Sequence, residues 1–306
     1  MSSGTILGSV KKRSRRSRNA TGEGTATSTS QPGASRPRAR KRFGQHFLEP
    51  AWISKLLAVI RPEPDELFVE IGSGTGQLTL PIAAAGAQVV AIEVDRELAA
   101  GLRRIAPPRV QVVTGDILSQ DLAELVAAAT PWQASRPVRV VGNLPYNLSS
   151  PILFQILGTQ RTHRCFRDAT LLLQREVADR VVAAPCSRTY GPMAILTRLA
   201  ADAKRVITLP PGAFRPPPRV RSAVVTLGFR PPPVSIADPA LFERLVRSLF
   251  TRRRKTLLNA FGPFAGTVSP LPPRELLARA GLASDRRPET LDLEDLATLA
   301  DTLARR

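Results

Sequence analysis

The chain has 306 residues, room for one large domain and a small one around a sizeable core, and its 44 Lys and Arg against 25 Asp and Glu leave a net charge of +19. Eleven of the basic residues lie in residues 1–42, where Glu23 is the only acid, so the rest of the chain still carries 33 basic against 24 acidic residues. An excess spread beyond the tail points to a polyanionic partner, with nucleic acid ahead of a membrane surface. Two cysteines, Cys165 and Cys186, exclude a disulfide framework and a CxxC zinc site, and no apolar run reaches the ~20 residues of a membrane span. The expectation is a soluble cytoplasmic protein with no metal, and a monomer.

Residues 1–39 show no apolar periodicity. They read as a disordered basic extension that attracts phosphate, with an Arg- and Ser-rich transit peptide as the alternative. From Trp52 the pattern becomes regular. A helix over Trp52 to Ile60 closes at Arg61-Pro62, and Leu67 to Ile71 is an apolar strand. Helices over Leu78 to Ala85 and Glu97 to Ile105 flank a strand over Val89 to Val94. Further β-rich runs fall at Val110 to Val113, Val138 to Val141 and Thr170 to Leu173. Continuous apolar strands alternating with helices predict a parallel sheet covered on both faces, an α/β doubly wound fold. Arg205 to Leu209 and Ala223 to Phe229, joined by the proline-rich segment Pro210 to Arg219, predict an antiparallel pair at the end of the sheet. Beyond Pro231-Pro232-Pro233 only helical spacing remains, over Leu241 to Ala260, Arg274 to Ala280 and Leu293 to Leu303.

The first strand empties into Gly72-Ser73-Gly74-Thr75-Gly76. Such a turn lets the backbone approach a ligand and opens the next helix towards it. Glu93, 21 positions past Gly72 at the end of the second strand, can accept both hydroxyls of a ribose. Gly115-Asp116 ends a third strand, where a carboxylate can meet an adenine amino group. Gln77 stands where a dinucleotide fingerprint has its third glycine, so the spacing favours S-adenosylmethionine over NAD. A dehydrogenase or a generic nucleotide-binding domain remains open on these strands alone.

The fourth strand ends in Gly142-Asn143-Leu144-Pro145-Tyr146-Asn147. The amino nitrogen of adenine is a poor nucleophile because its lone pair is delocalised into the ring. A site that methylates it should offer acceptors to the amino hydrogens. Asn143 can supply a side-chain carbonyl and Leu144 a backbone carbonyl directed by Pro145, while Tyr146 offers a face for an extruded base. Asn and Pro are also ordinary turn residues. Their place on the fourth strand, after the glycine turn and the acid, favours the catalytic reading. Arg252, Arg253, Arg254 and Lys255 fall in one segment of helical spacing with no acid among them, a candidate phosphate contact.

The chain resembles the ribosomal RNA adenine N6-dimethyltransferases, in particular the bacterial kasugamycin-resistance type that acts on the small subunit. The resemblance rests on Arg42 to Leu48, Gly142 to Asn147, Leu173 to Val177, Pro211 to Val220 and Arg253 to Thr256. It implies a Rossmann-like methyltransferase domain over residues 40–231 and a helical rRNA-binding domain over 232–306. It also implies that His46 and Leu48 border S-adenosylmethionine, that Gly72 touches it, and that Glu93 and Asp116 hold its ribose and adenine. Asn143 would stand between cofactor and target, and Phe214 would stack on the target base opposite Tyr146, although an aromatic in a loop is more often a hydrophobic plug. The implied reaction is four methyl transfers onto two adjacent adenosines near the rRNA 3′ end, with a role in subunit assembly. A single-adenosine methyltransferase of the large subunit, a DNA adenine methyltransferase and a non-catalytic assembly factor are the competing readings.

Overall fold

The computed structural model describes residues 46–129 and 137–304; the basic extension expected at the N-terminus lies outside them. The described residues begin with β1 (Phe47–Leu48), α1 (Pro50–Ile60), β2 (Leu67–Ile71), α2 (Thr79–Ala84), β3 (Gln88–Glu93), α3 (Arg96–Ile105), β4 (Val110–Thr114) and α4 (Leu122–Ala129). It continues through β5 (Val138–Asn143), α5 (Ser149–His163), β6 (Phe166–Gln174), α6 (Arg175–Val181), α7 (Pro192–Ala200), β7 (Ala201–Leu209), β8 (Phe214–Arg215) and β9 (Ser222–Phe229). Among the described residues only helices follow: α8 (Pro239–Thr251), α9 (Leu257–Val268), α10 (Pro273–Arg279) and α11 (Leu293–Ala304). Local chemistry marks their ends. Pro50 opens α1, where its missing N–H is not needed, and Arg61 closes it in the left-handed region. Asp95 caps α3 by accepting the N–H groups of Glu97 and Leu98.

Seven strands form one sheet in the order β4-β3-β2-β5-β6-β9-β7. The pairs from β4 to β6 are parallel; β9 runs antiparallel to both neighbours. The two late strands pair antiparallel at the end of the sheet as the sequence suggests, with β9 next to β6 and β7 outermost. Successive side chains along each strand enter different cores. In β2, Leu67, Val69 and Ile71 face one apolar cluster and Phe68 the other; in β3, Val90 and Ile92 face the first, Val89 and Ala91 the second. This is why the strands read as continuous apolar runs rather than alternating ones. Strand order reverses about the parallel β2–β5 pair, so a crevice opens beyond the carboxyl ends of those two strands, the usual ligand position in such sheets. At their other end Arg139 is buried, paired with Glu66 at 2.7 Å and Asp168 at 3.0 Å and donating to Ile60 O at 2.7 Å, which ties α1 to the sheet.

The segment Leu241 to Ala260 is not one helix. α8 stops at Thr251, and α9 starts at Leu257, whose N–H donates to Arg286 O at 2.6 Å while that of Leu258 donates to Ser284 O. The backbone donors opening α9 thus find acceptors in the 284–286 loop, and the four cations between the helices lie in a turn. The terminal helices share the larger core with the sheet. Tyr190, buried, donates to Leu291 O at 3.0 Å and meets Phe250 edge-on at 5.8 Å.

Candidate active site

The glycine turn after β2 has Gly72, Gly74 and Gly76 at φ of 76°, 55° and 86°. These are left-handed values that strain any other residue. At Gly76 the space is closed as well, since a Cβ would stand 2.6 Å from Leu102 Cδ1. The turn runs to Leu78 before α2 begins, and α2 has only six residues, so the backbone of the turn rather than a helix end faces the crevice. Its rim is formed by His46, Phe47 and Leu48 on one side and Asn143 to Tyr146 on the other, with Glu70, Ser73 and Glu93 between. A second cavity adjoins it through Gly72, Val94 and Pro145 and is lined by Ile92, Gly115, Asp116 and Ile117, a largely apolar slot for a flat ring.

Glu93 is 5% exposed, and its two oxygens accept the N–H groups of Gly74 at 2.7 Å and Asp95 at 2.9 Å. Burial pushes its carboxyl above the ordinary range, despite these hydrogen bonds. Glu70, 2% exposed, is held by the Thr79 hydroxyl and is pushed up to about 8, first by burial and then by the charge of Glu93. Ser73 lines the same cavity, and its buried Oγ has no hydrogen-bond partner among the described residues. Asp116 is exposed and caps the following turn through Leu118 N at 3.0 Å.

This donor set discriminates between cofactors. The described lining of both cavities contains Glu70, Glu93 and Asp116 and neither Lys nor Arg. A pyrophosphate would meet no Lys or Arg there and would lie beside the Glu93 and Asp116 carboxyls. A ligand carrying a sulfonium and an ammonium group, with a ribose for Glu93 and an aromatic base for the second cavity, fits it, and Ser73 Oγ offers it an open partner.

Asn143 ends β5 with its Nδ2 donating to His46 O at 2.8 Å. Its carbonyl oxygen is thereby left as the acceptor of the pair. Gly142 cannot be larger, because a Cβ would lie 2.7 Å from Ile71 O. Tyr146 is half-buried, and burial raises its phenol. Its hydroxyl is hydrogen-bonded to Ser222 at the start of β9, and its ring stacks on His46 with centroids 5.3 Å apart. Leu144 is buried at 1% exposure, beneath the turn. Phe214 is also 1% exposed, so in this conformation it is a core residue and offers no face to a base, contrary to the stacking role the resemblance implies.

The cation cluster divides. Arg252, Arg254 and Lys255 are exposed, whereas Arg253 pairs with Glu289 at 2.7 Å and donates to Arg188 O at 2.6 Å. The break between α8 and α9 turns Arg253 inward, so the four residues do not share one helical face. Sequence reasoning missed Gln77 as a structural part. Its amide accepts Leu48 N–H at 3.0 Å and donates to Leu48 O at 2.8 Å, clasping β1 to the glycine turn. The departure from a third glycine at that position was the available signal.

The family model for ribosomal RNA adenine dimethylase matches residues 36–298. The chain belongs to the ribosomal RNA adenine dimethylase family. Family membership makes it an enzyme, a methyltransferase with a Rossmann-like sheet. It is 43% identical over 271 residues to a ribosomal RNA small subunit methyltransferase A from Anaeromyxobacter sp. (strain K), spanning 87% of this chain and 94% of the relative. A protein of the same name from Thermosynechococcus vestitus is 38% identical over 270 residues, spanning 87% and 97%. In structure the chain is similar to a dimethyladenosine transferase from Plasmodium falciparum, with a TM-score of 0.67 at 22% identity over 83% of this chain and 96% of that one. It is also similar to the 23S rRNA methyltransferase ErmE, with a TM-score of 0.59 at 24% identity over 85% and 100%. Among the described residues no helix is long and apolar enough to cross a membrane, and no group of three His, Cys, Asp or Glu side chains can hold a metal ion.

Proposed function

We propose that this enzyme uses S-adenosylmethionine to dimethylate N6 of two adjacent adenosines in the 3′-terminal hairpin loop of small-subunit (16S) rRNA, during small-subunit biogenesis in the cytoplasm. The observation that carries the chemistry is Asn143, braced by the His46 carbonyl at 2.8 Å beside the acidic crevice and Tyr146. The names of the relatives support the small subunit as substrate.

When bound, S-adenosylmethionine supplies an electrophilic methyl group. Glu93 takes the ribose hydroxyls, the slot by Val94 and Asp116 takes the adenine, and Glu70 with Ser73 meets the polar remainder. His46, Leu48, Gly72, Gly74 and Gly76 close around it. The Asn143 side-chain oxygen and the Leu144 carbonyl accept the amino hydrogens of the target adenine, which returns lone-pair density to the nitrogen. Tyr146, tethered through Ser222, carries the base at a fixed angle. Rate enhancement comes from alignment and from preorganised acceptors rather than from a strong base. Arg252, Arg254 and Lys255, on the helical part over residues 232–306, meet rRNA phosphates, and the enzyme acts as a monomer.

Incubation with labelled S-adenosylmethionine and under-methylated small subunits, followed by nucleoside analysis, tests this reading. N6,N6-dimethyladenosine at two adjacent 3′-proximal positions is expected. Label confined to large-subunit RNA or DNA would refute the substrate.

A further inference from the structure

The His46 imidazole covers the face of Tyr146, the ring proposed above to carry the target base. Its ring is 5.3 Å from that of Tyr146, tilted by only 25°, and 6.5 Å from that of Phe214 at 76°. It therefore stacks on the Tyr146 ring proposed to carry the base and stands edge-on to the buried ring of Phe214. The three rings are held differently. Tyr146 is fixed through its hydroxyl to Ser222, and Phe214 is buried and paired across β1–β8, where Leu48 lies opposite it. His46 is only partly buried, and its ring is tethered by one hydrogen bond, Nδ1–H to Pro216 O at 2.7 Å. Of the three it is the ring free to leave.

We propose that His46 is a stand-in for the target base, covering the Tyr146 ring in the free enzyme and swinging out when adenine enters. This rests on the proposed adenine N6 chemistry. Imidazole is planar and matches the five-membered half of a purine, so it satisfies the stacking surface without reaching as far as adenine does. The main chain need not move. The His46 carbonyl remains the brace for Asn143 Nδ2, so rotation of the His46 side chain uncovers the Tyr146 ring while the acceptor geometry persists. The exchange also selects: an incoming base must replace one ring–ring contact and supply amino hydrogens to Asn143 before its entry is favourable.

The test uses the full chain and an RNA hairpin that keeps the target adenine and carries 2-aminopurine as its neighbour in the loop, whose fluorescence rises when the adenine leaves the stack. His46→Ala should capture the probe about three- to tenfold more tightly than wild type, the equilibrium that one ring–ring contact controls, and His46→Trp should weaken capture. Cofactor affinity of each variant, measured separately, identifies any loss that arises at the cofactor side. A second readout needs no variant at position 46. The chain has two histidines, His46 and His163, so a His163→Gln variant leaves one imidazole signal in proton NMR. That signal should be shifted upfield by the Tyr146 ring in the free enzyme and return on saturation with the hairpin. Equal capture by all three proteins, or a His46 signal that the hairpin does not move, overturns the stand-in. If wild type methylates no adenosine on small subunits, the proposed function itself fails, a result distinct from either of these.

Discussion

Glu70→Gln should make the protein more stable at alkaline pH, and the size of the gain follows from the site. The Glu70 carboxyl is 2% exposed, moves from 4.5 to about 8 on folding, and has the Thr79 hydroxyl as its hydrogen-bond partner. A folded-state pKa above the unfolded one means that the native state holds the proton more tightly. The protonated carboxyl costs nothing below about pH 4.5, and stability falls as pH rises until the folded pKa has been passed. With about 1.4 kcal/mol per pKa unit, the wild type should lose about 4 kcal/mol more than the variant between about pH 5 and about pH 9. Glutamine keeps the shape and a hydrogen bond to Thr79 but cannot ionise. Urea unfolding of both proteins at the two pH values isolates this difference, because every other titrating group is common to them. Parallel pH dependences for the two proteins would mean that Glu70 is not held in its neutral form, and the burial argument would be wrong.

Asn143→Ala should lower methyl transfer by at least about a hundredfold while leaving small-subunit binding within a few-fold of wild type, as single-turnover rates and filter binding would reveal. Neutralising Arg252, Arg254 and Lys255 together should weaken RNA binding and reduce the slope of log affinity against log salt by about two to three, and an unchanged slope would return them to solvent. Arg253→Ala should behave differently, leaving the salt slope nearly intact and costing about 1 kcal/mol of stability through the lost Glu289 pair, measurable as a lower unfolding midpoint. Gln77→Ala should remove both hydrogen bonds to Leu48, costing about 1–3 kcal/mol and weakening S-adenosylmethionine binding in calorimetry; unaltered binding would show that β1 is held without the clasp.

The parts of the site that were legible in the sequence are those whose chemistry is local. The GxGxG turn, Glu93 at the end of the next strand and Asn143-Leu144-Pro145-Tyr146 each lie where a strand ends, so the alternation of strands and helices was enough to bring them to one edge. Parts made by distant pairs stayed hidden. Gln77 meets Leu48 across 29 positions, Tyr146 meets Ser222 across 76, and Arg253 meets Glu289 across 36. The run of four cations looked uniform because residue type carries no record of which side chain is turned inward. Glu70 sits within an apolar strand and was passed over as part of it, although a lone carboxylate in β2 is the kind of residue whose neighbours must explain it. Phe214 shows the opposite failure: its motif implied a stacking face, and burial in the described conformation withholds that face.

The shared core between the sheet and the terminal helices bears on how such an enzyme can be recombined. Tyr190, two residues before α7, reaches Leu291 O beyond α10 and packs on Phe250 of α8, so the sheet half and the helices meet in direct side-chain contact there. The two halves are expected to melt as one cooperative unit rather than in sequence. Exchange of the helical part between relatives with different RNA targets would then have to carry α7 and the residues around Tyr190 with it. A cut at the proline run, where the sequence changes character, would leave two unmatched apolar faces instead of two proteins.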